Sequence, residues 1–128
     1  LGYDQYHEQI ENIVENYKEN LVVEFMYTMQ RLEYFNLSLK RLIKKQDDYK
    51  YFFHTNIIIH EYIRLTYFMT GKREYGYLPV DALNYISHDV FQKLIYNVGD
   101  DKFKHSKSVN SLVRQILEQT SLYLITLK

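Results

Sequence analysis

Asn56, His60 and Arg64 recur at intervals of four, which sets them on one line of a helix turning about 100° per residue. Tyr67 falls beside that line. Ile57, Ile58, Ile59, Tyr62, Ile63, Leu65 and Phe68 close the rest of the circumference, so the polar line is a gap in an apolar girdle. An amide, an imidazole and a guanidinium in a row can line a groove, with Arg64 suited to a phosphate or carboxylate. The blander account is that the gap is the wet side every nearly encircled helix needs. Glu61, three residues before Arg64, is also placed to neutralise it locally. Just beyond, Lys72, Arg73, Tyr75 and Tyr77 surround Gly76 in a loop. Two cations and two rings can stack on and neutralise a nucleotide-like or sugar-like ligand, or simply fold over the bundle end. Lys40, Arg41, Lys44 and Lys45 need no ligand, because cations suit a helix C-terminus.

Standard catalytic arrangements fail in turn. Gly71 and Gly76 have the spacing of P-loop glycines, but Tyr77 and Leu78 stand where Lys and Ser or Thr are required. His60-Glu61 opens like a zinc-protease helix, yet Arg64 occupies the second histidine's place; after His7-Glu8 that place holds Glu11. No two of the five histidines lie four apart, no serine sits in a nucleophile-elbow context, and no Arg precedes a His at the spacing of HEPN-type ribonucleases. The site readings are therefore ligand-binding, with no catalytic residue and no metal ligand.

Composition narrows the class further. The chain has 128 residues, one domain's worth, with a net charge of zero and no cysteine. Zero net charge argues against a protein held to nucleic acid by bulk electrostatics. Absent cysteine fits a reducing cytoplasm. No apolar run approaches a membrane span. The first residue is Leu1 rather than Met, which suggests that an N-terminal portion is missing. Fourteen tyrosines, one proline and four glycines leave room for long helices.

The elements that position these residues follow from apolar spacing. Helical periodicity predicts segments over 4–19 and 21–45, with Asn20 either a cap between them or part of one long helix. Asp47 or Asp48 then caps a helix from Tyr49 to Thr70, which Gly71 ends. Pro79 opens a short helix to Ile86, Ser87 caps another over Asp89–Asn97 ended by Gly99, and Asp100–Lys107 reads as a polar loop. Ser106 or Ser108 opens the last helix, to about Leu127. The expected fold is all-α, an up-and-down helical bundle of about five helices.

From Arg31 to Asn97 the pattern is more specific. Tyr51-Phe52-Phe53-His54 leads an apolar helix, followed by Tyr67-Phe68-Met69-Thr70-Gly71-Lys72 and the aromatic stretch Tyr75-Gly76-Tyr77-Leu78-Pro79. This resembles the helical bundle that follows the catalytic domain in antibiotic-type nucleotidyltransferases and their relatives. The resemblance implies a non-catalytic accessory domain that walls a substrate cleft and supplies dimer contacts. It also implies an upstream nucleotidyltransferase-like domain as partner. Magnesium and a nucleoside triphosphate would belong to that upstream domain, since the Gly-Ser turn and spaced aspartates that bind them do not occur in this chain. The alternative is a free-standing helical interaction module, such as a toxin–antitoxin or mobile-element regulator.

Overall fold

The computed structural model describes residues 2–70 and 86–127, with side chains at 9, 21–70 and 86–127. Over that range it forms four α-helices and no strand: α1 (Gly2–Lys45), α2 (Asp48–Met69), α3 (His88–Leu94) and α4 (Lys102–Thr126). The expected helix over Val80–Ile86 lies, apart from Ile86, outside the described residues, as do Gly71 and the loop after it.

Asn20 lies within α1, which is a single 44-residue helix. No Gly or Pro interrupts the chain between Tyr3 and Thr70, so only a local motif can stop it. That motif is a left-handed residue, Gln46, at φ 56°. Its N–H donates to the Ile43 carbonyl at 3.1 Å, and the Asp47 N–H donates to the Leu42 carbonyl at 3.1 Å. Lys44 and Lys45 in the last turn complement the helix dipole. Asp47 then caps α2, its carboxylate accepting from the Lys50 N–H at 3.1 Å. Two residues thus reverse the chain.

Packing follows the reversal. Ser38 meets His54, Arg31 meets Glu61 and Phe25 meets Phe68, so α2 runs back along α1. The Asn36 side-chain amide donates to the Asn110 side-chain oxygen Oδ1 at 3.0 Å and Phe25 meets Tyr123, so α4 is antiparallel to α1 as well. The core between the three long helices includes Phe25, Leu32, Leu39, Ile58, Leu65 and Val113, each at most 1% exposed. Leu32 and Leu39 lie seven apart on α1, Ile58 and Leu65 seven apart on α2. Those are the repeats that keep one helical stripe on a neighbour.

Two boundaries depart from the sequence expectation. α4 begins at Lys102, inside the stretch read as a polar loop, because Asp101 caps it by accepting from the N–H groups of Phe103 and Lys104. Ser106 and Ser108, expected to open the helix, donate to the carbonyls of Phe103 and Lys104 within it. α3 stops at Leu94, and Gly99 serves a later turn instead, at φ 101°. In that turn the Asp100 N–H donates to the Asn97 carbonyl at 2.9 Å. Ser87 caps α3 as expected, accepting from the Val90 N–H at 3.1 Å.

Candidate functional site

The residues singled out by spacing are distributed unevenly. Asn56 is open to solvent on α2, whereas His60, Arg64 and Tyr67 are half-buried. Lys72, Arg73, Tyr75 and Tyr77 lie outside the described residues. His60 and Arg64 share a local field: burial holds the His60 imidazole below its ordinary pKa, and the Arg64 and Arg31 cations add to that against Glu61.

Glu61 is the group that sequence reasoning placed least well. It is 3% exposed, and its ionic partner comes from α1. Arg31 Nε lies 3.4 Å from Glu61 Oε1, thirty positions away in the chain. The other carboxylate oxygen is buried and accepts no hydrogen bond. The Arg31 guanidinium carbon sits 5.7 Å from the centre of the Tyr27 ring and 5.4 Å from that of Phe35. These rings steer the cation across to α2. The result is a charged cluster of Arg31, Glu61 and Arg64 with a neutral-leaning His60, built from facing sides of α1 and α2. The only hint in the sequence was one acid set inside an apolar girdle.

Two further histidines sit in hydrogen-bonded networks that spacing alone does not reveal. His105 Nε2 contacts the Leu94 carbonyl at 2.9 Å, and its Nδ1 contacts the Tyr51 hydroxyl at 2.7 Å. A carbonyl only accepts, so Nε2 carries the proton of the neutral ring, and the single Tyr51 hydroxyl proton is shared between His105 Nδ1 and the Lys102 carbonyl at 3.1 Å. Burial raises the Tyr51 phenol well above its ordinary value. His54 Nδ1 lies 2.7 Å from the Ser38 hydroxyl, which itself donates to the Phe35 carbonyl at 2.7 Å. With its one proton committed to the backbone, Ser38 accepts from His54. That is the reverse of a base activating a nucleophile.

Burial is the main cause that lowers His54 and His105, as it is for His60. Arg41 and Lys50 reinforce it at His54, while the Leu94 carbonyl and Asp100 oppose it at His105. A lowered folded-state pKa means that the unfolded chain binds more protons as pH falls below the ordinary value of 6.5. Stability should therefore change little just above neutrality and decline on acidification through that point. Urea midpoints measured between about pH 7.5 and 5 check this, and a midpoint that rises on acidification contradicts it.

A separate groove of about 430 Å³ opens between α1 and α4. Ile43 and Phe103 line it together with Lys40, Lys44 and Lys107, and the Lys107 ammonium lies 4.5 Å from the centre of the Phe103 ring. The helix-end lysines of α1 thus share a surface with α4, on the scale of a small-molecule pocket. None of the spacing-derived candidates lines it. Among the described residues no three His, Asp or Glu side chains converge as a metal site, and no helix is long and apolar enough to cross a membrane. No protein family, curated protein or solved structure matches the chain.

Proposed function

We propose that the chain is a non-catalytic helical accessory domain of a nucleotidyltransferase-like protein in the cytoplasm, forming a substrate-cleft wall and dimer contacts. The observation that carries the ligand-facing part is the Arg31–Glu61 pair with His60 and Arg64 around it. Burying a carboxylate is costly, and an apolar pair of similar volume would serve stability at least as well. Arg31 and Arg64 bring two guanidinium side chains to this cluster, groups suited to a polyphosphate or carboxylate.

Titrating the chain with ATP, used as a polyphosphate probe of this face, tests the ligand-facing part, followed by the NMR signals of the His60 imidazole. Arg64→Ala should weaken the interaction by about 1–3 kcal/mol, the cost of a lost charged hydrogen bond, with little change in melting. A variant that binds ATP normally, or that melts far lower, assigns Arg64 to structure instead. The upstream coding sequence discriminates at the level of the whole protein. A Gly-Ser turn followed by an Asp-x-Asp segment supports the accessory role.

One observation favours the second reading, a free-standing interaction module. Val23, Met26, Tyr27, Tyr34 and Leu37 form an apolar face on α1 that is more than half exposed at every position.

A further inference from the structure

α1 carries two stripes. The inner one, Phe25, Leu32, Phe35, Leu39 and Leu42, packs into the bundle. The outer one, Val23, Tyr27, Gln30, Tyr34 and Leu37, advances by alternating steps of four and three residues. That alternation is the spacing that keeps a stripe in register with another helix. Its apolar members are 52–62% exposed. Met26 widens it and Arg41 continues it toward the C-terminus.

Charge is segregated along the same helix. Residues 2–24 hold six acids and one lysine, whereas residues 31–45 hold five cations and one glutamate. Two such helices laid parallel would set like charge on like. Laid antiparallel, each acidic half faces the other copy's basic half.

We propose that a second copy of this chain covers the outer stripe, the two α1 helices packing antiparallel and crossing near Gln30. This register sets Val23 opposite Leu37 and Met26 opposite Tyr34. Glu19 comes level with Lys40 and Arg41, and Glu15 with Lys44 and Lys45. Gln30 meets its own counterpart on the two-fold axis, a polar layer that fixes alignment as a single amide does in a coiled coil. The exposed apolar side chains offer roughly 500 Å² per copy, short of the about 800 Å² of a standard interface. The charged flanks must therefore contribute, and salt weakens the pair. The proposal rests on the dimer contact within the proposed role and supplies its surface.

The chain has no cysteine, so introduced thiols report the geometry directly. Under mild oxidation Gln30→Cys should form a disulfide-linked dimer, because its two copies meet at the axis. Val23→Cys alone should not, but should link once Leu37→Cys is added. Light scattering at about 100 μM in low salt should give twice the 15.6 kDa chain mass, falling toward one chain mass in about 1 M salt. Leu37→Glu, at an exposed position, should dissociate the pair while the far-UV circular dichroism melt stays unchanged. A monomer at low salt, a dimer that survives Leu37→Glu, or Val23→Cys linking as readily as Gln30→Cys each overturns the proposal. Failure here with ATP binding intact removes the pairing alone.

Discussion

Phe25→Ala is expected to destabilise the chain by about 3–5 kcal/mol, and to lower its melting temperature by roughly 10–20 °C. Phe25 is fully buried where three helices meet. Its ring lies edge-on to Phe68 of α2 at 5.2 Å and tilted to Tyr123 of α4 at 5.7 Å. Truncation removes the transfer free energy of the ring and leaves a cavity that three rigid helices cannot easily collapse. Leu37→Ala makes the comparison informative, since a 58% exposed side chain on the same helix should cost the monomer little. Urea denaturation of the two variants checks the pair of values, measured at low protein concentration. Similar losses for both would mean that α1 does not face the core as described.

Arg31→Ala is the second large effect expected, at about 2–3 kcal/mol. It strands the Glu61 carboxylate, which is 4% exposed at its side chain and has Arg31 as its ion-pair partner. The cost falls below that of a fully buried pair because Arg31 is itself 36% exposed. Much of the loss is the penalty of an unpaired buried charge, rather than the worth of the bond. Glu61→Gln in the Arg31→Ala background should therefore recover part of it, since the amide keeps the shape and sheds the charge. A double-mutant cycle by chemical denaturation measures this directly. If the double variant is as unstable as the sum of the single ones, the two residues are not coupled.

Much of the local structure was legible before folding was considered. Helical periodicity marked α1 over 21–45, and the apolar girdle around Asn56, His60 and Arg64 marked α2 as a mostly buried helix. Ser87 was legible as a cap, and Asp47 as one of two adjacent candidates, because a short acceptor side chain ahead of an apolar run satisfies free backbone N–H groups. Asp101 was not. The Ser106 and Ser108 hydroxyls, which resemble caps equally well, drew the boundary inward. Gly99 misled for a related reason. Glycine marks where the chain turns, but the turn it serves need not be the one that ends a helix.

The candidate site was legible only along a single helix. Asn56, His60, Arg64 and Tyr67 share a line because helical geometry imposes it, whatever the rest of the chain does. That line and the all-helical class are what the sequence determined by itself, since both depend on interactions within a few residues. Which groups actually meet was decided by packing. Arg31 reaches Glu61 across thirty positions, Tyr51 reaches His105 across fifty-four, and Lys40 shares a groove with Lys107. Each partner choice depends on how α2 and α4 register against α1, and that register is set by the summed fit of buried side chains. No residue's own neighbourhood in the sequence contains that sum.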